Sequence, residues 1–212
     1  MAAYDLEEQE QLDALRDWWK LHARTVVLAI GVFAVVLAGG QGWLWYGKNQ
    51  RLTASMLFES MQQAISVKDL KRARDTAGQL MDGYARTAYA GKAALMIAQV
   101  NHAAGDATAA KAQLQWALEK AGAEEKDLAR LRLAGVLLDE KKPDEALKLL
   151  DAAHDPAYAA LFLDLKGDVL VVQGKTTEAR SAYQTAVEKA DRQGAYRRII
   201  QLKLDALGDG QS

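Results

Sequence analysis

The chain has 212 residues, a formal net charge of −1 and no cysteine, and half of its residues are hydrophobic. So even a balance offers no basic field for a nucleic acid, and the absence of cysteine excludes disulfides and thiol chemistry. The charge is unevenly spread: six acids against three bases give −3 ahead of Thr25 and leave +2 for the remainder.

Residues 1–24 form an acidic tail (Asp5, Glu7, Glu8, Glu10, Asp13, Asp17 against Arg16, Lys20, Arg24), which ends in the aromatic pair Trp18 and Trp19. The next element, residues 25–46, is a run of 22 residues without a charge (TVVLAIGVFAVVLAGGQGWLWY). As a helix it reaches about 33 Å, enough to cross a hydrocarbon core of roughly 30 Å. A cleaved leader would carry a basic start and a shorter apolar core. A buried core helix is rarely apolar on every side over this length. Trp18, Trp19, Trp43, Trp45 and Tyr46 bracket the run as interfacial aromatics do, so the expectation is one permanent signal-anchor span in a lipid bilayer.

Three bases precede the span, while Lys48 and Arg51 follow it. That count leans towards a tail inside the cytoplasm, and no second apolar run returns the body across the membrane. The body, residues 47–212, is therefore expected outside. Within the span Ala34, Ala38 and Gly42 recur every fourth residue, a small-residue stripe that would let a second membrane helix approach. The alternative is that Gly and Ala are simply common in such helices.

The body contains only Pro143 and Pro156 and is rich in Ala, Leu, Lys, Glu and Gln, so helices are expected throughout. Its organisation follows from self-similarity. GDATAAKAQLQWALEKA (residues 105–121) aligns without a gap on GKTTEARSAYQTAVEKA (residues 174–190). Both have a glycine turn, a small residue (Ala110, Ala179), a bulky one (Leu114, Tyr183) and a second small one (Ala117, Ala186). A third copy opens at Pro143 and places Ala146, Leu150 and Ala153 in the same three positions. The first helix of each pair carries its own small residue, Ala98, Ala134 and Gly167, at intervals of 36 and 33. This is the tetratricopeptide pattern of stacked helical hairpins. A divergent earlier pair is expected over residues 53–83, with Ala73, Ala77 and Leu80 on one face, and a terminal capping helix over residues 196–207.

The fold class is therefore all-α: a tetratricopeptide-like solenoid behind one N-terminal transmembrane helix. The body gives no sign of catalysis. Gly174-Lys175-Thr176 imitates the end of a phosphate loop, but Val169 stands where its first glycine belongs and the preceding stretch is helical. His22, His102 and His154 are too scattered for a metal site, and no cofactor is expected. The first helices of such a solenoid line its binding surface. Counted from the small residues, that lining comprises Leu95, Gln99 and His102, then Leu131, Gly135 and Leu138, then Asp164, Asp168 and Val171. A mixed apolar and acidic groove suits extended segments with apolar and basic side chains. The plainer reading is that the leucines pack against neighbouring helices.

The order of these parts resembles one family. Asp17-Trp18-Trp19-Lys20, Gly42-Trp43-Leu44-Trp45-Tyr46, the linker Gly83-Tyr84-Ala85-Arg86-Thr87-Ala88-Tyr89-Ala90, Leu131-Arg132-Leu133-Ala134, Asp164-Leu165-Lys166-Gly167-Asp168, Gly174-Lys175 with Ala179-Arg180-Ser181-Ala182, and Ile200-Gln201-Leu202-Lys203-Leu204 are similar to the YfgM-type ancillary subunit of the bacterial Sec translocon. That resemblance implies a single-pass inner-membrane protein with a periplasmic repeat domain. It implies the SecY-SecE-SecG channel and a membrane-anchored parvulin-type periplasmic chaperone as partners, and a role in passing translocating polypeptides to periplasmic chaperones. It also connects the acidic cytoplasmic tail with envelope-stress control, which no residue of the tail itself indicates. The residues alone leave open a membrane-tethered scaffold for envelope assembly, or a regulatory subunit of a membrane enzyme or signalling pathway.

Overall fold

In the computed structural model the described backbone comprises residues 2–192 and 194–208. The side chains of residues 2–11 and 14 lie outside the described set, and with them the tail acids Asp5, Glu7, Glu8 and Glu10. The described residues form helices and turns without a strand. The chain divides into two compact units between Gln50 and Arg51, and helix α1 (Ala2–Ser66) contributes to both.

Across residues 25–46 the helix presents apolar side chains to the surroundings on every side. Val35, Val36, Trp43 and Trp45 are each more than 60% exposed. A solvated protein does not leave such a surface uncovered, whereas hydrocarbon covers it without cost. This is one helix long and apolar enough to cross a membrane, and none of its most apolar window is buried. Ahead of it, Trp18 stacks on His22 with ring centroids 5.0 Å apart, and Asp13–Arg16 and Asp17–Lys20 pair along the helix.

The second unit is a succession of antiparallel hairpins. The C-terminal stretch of α1 pairs with α2 (Leu70–Gly83), α3 (Ala88–Ala103) with α4 (Ala107–Lys120), α5 (Ala123–Asp139) with α6 (Pro143–Leu150), and α7 (Ala159–Val172) with α8 (Thr176–Lys189). Helix α9 (Ala195–Ala206) packs on α8 at the end. Each first helix also touches the next first helix, α3 with α5 and α5 with α7, so these three form one layer. The divergent first pair is present, but its first helix is a continuation of α1 and not a separate element.

One turn recurs in all four hairpins and explains their common geometry. Lys68, Gly105, Lys141 and Gly174 each take a positive φ between 59° and 82°. The amide of the next residue then donates back to a carbonyl five residues earlier: Asp69 to Ala64, Asp106 to Asn101, Lys142 to Leu137, Lys175 to Leu170. This closes the helix C-terminus as a Schellman-type cap. Asp69 and Asp106 go on to cap the following helix, accepting from the amides of Arg72 and Ala109. The Gly174-Lys175-Thr176 sequence is thus a hairpin turn.

Small residues sit where the hairpins touch. Ala73, Ala98, Ala110, Ala117, Ala134, Ala146, Ala179 and Ala186 are all buried. The most demanding contact is at Gly167, where a Cβ would lie 2.4 Å from the ring of Tyr183. Ala153 departs from the expected repeat: it is exposed and outside any helix, because α6 stops at Leu150. Asp155 precedes Pro156, which disfavours helical backbone, and it is extended. The loop is then pinned from α5, where Arg130 Nη1 donates to the Ala153 carbonyl (3.1 Å) and Asp127 Oδ2 accepts from the Asp155 amide (2.9 Å). His154 lies flat on Phe162, centroids 3.9 Å apart.

Candidate binding groove

Helices α3 and α5 touch, and a groove of about 330 Å³ lined in part by Ala98 and Gly135 lies between them. Gln99 and His102 line it from α3; Arg132, Gly135, Val136 and Asp139 line it from α5. Nothing lies within 4 Å of a Cβ placed on Gly135, so that wall is open. His102 Nε2 stands 3.2 Å from Asp139 Oδ2, a bridge between the helices that becomes an ion pair on protonation. Arg132 Nη1 donates to the Leu95 carbonyl at 2.6 Å. Burial pulls the Arg132 pKa below its ordinary value, yet a guanidinium remains charged near neutrality.

The structure brings together three of the nine proposed lining residues, Gln99, His102 and Gly135. Leu95 is buried in the central cluster, and Leu131 and Leu138 pack against that cluster. The lining face of α5 is turned by about one residue, some 100° of helix, from the one counted from Ala134. Arg132 and Asp139 were missed for that reason. Their spacing with Gly135 and Val136, three and four residues apart, was the signal that could have found them. The groove therefore carries both charge signs instead of an acidic lining.

Asp164 and Asp168 belong to a different arrangement. Lys203 of α9 donates to Asp164 Oδ1 and Oδ2 (3.0 and 2.9 Å) and to Asp168 Oδ2 (2.8 Å). Tyr196 donates to Asp164 and Tyr183 to Asp168, each at 2.7 Å. Burial alone would lower the Lys203 ammonium, but the bonds and charges of Asp168 and Asp164 outweigh it and hold the pKa above its ordinary value. Burial, then the bond to its aspartate, raises each tyrosine. These carboxylates fix the terminal helix and are not free for a basic ligand. Val171 is 41% exposed near that end. In the first unit Ala34, Ala38 and Gly42 are exposed, and a Cβ on Gly42 would meet nothing within 4 Å.

A family profile for a tetratricopeptide repeat-like domain matches residues 16–209, the apolar helix and the hairpins together. The chain is 33% identical to a protein of Neisseria gonorrhoeae named ancillary SecYEG translocon subunit, over 98% of this chain and all of that one. It belongs to the family of ancillary SecYEG translocon subunits. Members of this family in Escherichia coli (27% identical over 94% of this chain and 96% of the relative) and Haemophilus influenzae (26%, over 87% and 90%) bear the same name. The match runs through every element described above, so the membrane-type helix and the repeats are a family architecture and not a local fusion.

Proposed function

We propose that this protein is a non-catalytic interaction subunit at the Sec translocon, linking the SecY-SecE-SecG channel to periplasmic chaperones. Residues 25–46 hold it in the inner membrane, the tail faces the cytoplasm, and the hairpins stand in the periplasm. A membrane-anchored parvulin-type chaperone is the proposed partner of the repeat domain. The groove between α3 and α5 receives an extended segment of that partner or of a translocating polypeptide, and the Ala34–Ala38–Gly42 stripe meets a channel helix.

The observation that carries this reading is the similarity to translocon subunits along nearly the whole chain. The groove adds physical support. Arg132 and Asp139 present one charge of each sign beside the amide of Gln99, and an extended backbone has both donors and acceptors to satisfy. The test is crosslinking in membranes, detergent solubilisation and recovery of the full chain. Channel subunits and the chaperone are expected in the recovered material, and their absence would overturn the proposal. Replacing the span by an unrelated apolar helix is expected to lower channel recovery. Unchanged recovery would remove the stripe from the contact.

A further inference from the structure

The end of the solenoid is left unfinished. A terminal helix normally turns a polar face outward, since no further repeat covers it. Helix α9 buries Ile200 and turns Tyr196 and Lys203 towards α7 and α8, yet Ile199 is 50% and Leu202 69% exposed. Ala195 and Ala206, also exposed, extend these two into one stripe.

The stripe has a particular order. Ala195, Ile199, Leu202 and Ala206 are spaced four, three and four apart, the spacing of a helix-packing seam. Read backwards it is still small, large, large, small. A second copy of α9 laid antiparallel therefore sets Ile199 against the partner copy's Leu202 position and each alanine against an alanine. Such self-complementarity is what a two-fold interface requires. The flank agrees. Arg198 and Asp205 lie seven residues apart on the same side of the stripe, so reversal about its centre brings Arg198 opposite Asp205 of the second copy, twice by symmetry. Arg198 makes no ion pair among the described residues. Among the described residues the Asp205 side chain accepts only from Gln201 on its own helix, at Oδ1 (2.8 Å), which leaves Oδ2 available.

We infer that α9 is a self-association surface, on which a second copy of this chain docks antiparallel through Ile199 and Leu202 with reciprocal Arg198–Asp205 pairs. The surface lies on the terminal helix, outside the groove between α3 and α5.

The test uses the full chain in detergent micelles, with mass followed by sedimentation or light scattering across the micromolar range. Wild type is expected to dimerise, and Leu202→Glu to weaken the dimer about tenfold or more. Since Leu202 is largely exposed, the helix content of this variant is expected to stay unchanged; Ile199→Lys replaces it should far-ultraviolet dichroism show otherwise. Arg198→Asp and Asp205→Arg are each expected to weaken association, and the double exchange to restore it. A wild-type chain that stays monomeric, or a dimer indifferent to Leu202→Glu, would overturn the inference. A double exchange no better than the single ones would overturn the antiparallel pairing.

Discussion

The ring of Tyr183 on α8 lies so close to Gly167 on α7 that any side chain at 167 would overlap it, with Cε1 only 2.4 Å from an added Cβ. Tyr183 is held in that position from its other end, where its hydroxyl donates to Asp168 at 2.7 Å. The contact joins the fourth hairpin to the base of the terminal helix, since Asp168 is also bound by Lys203.

Gly167→Ala is therefore expected to destabilise the repeat domain by about 1–3 kcal/mol, the range for forcing an extra carbon into a packed core. Gly78 on α2 is the control, because a Cβ there meets nothing within 4 Å. Gly78→Ala is expected to stabilise by roughly 0.5–1 kcal/mol through helix propensity. Chemical denaturation of the two variants should move in opposite directions.

The recurrent turn yields a second expectation. Lys68 and Lys141 hold the left-handed conformation that glycine takes in the other two hairpins. An L-residue there costs roughly 1–2 kcal/mol, partly offset by the freedom glycine gains on unfolding. Lys141→Gly is expected to raise stability by about 0.5–1 kcal/mol, read from the denaturation midpoint.

The terminal cluster predicts an alkaline transition. The folded-state pKa values of Lys203, Tyr183 and Tyr196 all lie above their ordinary values of 10.5, 10.0 and 10.0. A raised folded pKa gives stability that is complete below the unfolded value and lost as pH rises through the folded one. The attachment of α9 is thus unchanged between neutrality and about pH 10, and weakens above it. Phenolate absorbance followed with tryptic cleavage near α9 should show both changes together. Lys203→Met leaves Asp164 and Asp168 without their cation and is expected to loosen α9 already at neutral pH.

Much of this architecture was legible in the residues. The apolar run, the small-residue positions and the capping helix all follow from periodicity, because burial repeats with the helix. Three things were not. The third hairpin was expected to carry Ala153 in its second helix, but the loop is held by Asp127 and Arg130 from a distant stretch of α5, a tertiary bond that no local pattern reveals. Likewise Asp164 and Asp168 looked like groove carboxylates until Lys203, more than thirty residues away, was seen to bind them. The groove itself was read one residue out of register on α5, because the leucines at 131 and 138 obey the same spacing as a lining face while packing into the core.

Filling the groove tests its proposed role without disturbing that core. Gly135→Trp has open space before it, so stability is expected to change by less than about 1 kcal/mol, as for a substitution outside the packed interior. Recovery of crosslinked polypeptide or chaperone is expected to fall severalfold, while channel recovery through the membrane helix is retained. Loss of both together would assign the effect to misfolding of the domain and not to the groove.

The most direct measurement of the central claim is reciprocal: the translocon is isolated from membranes through its own channel subunit, and this chain is quantified in the product. It is expected to co-purify with the intact channel, and to do so still when α9 carries Leu202→Glu. An intact channel recovered without this chain, from membranes that contain it, would contradict the account.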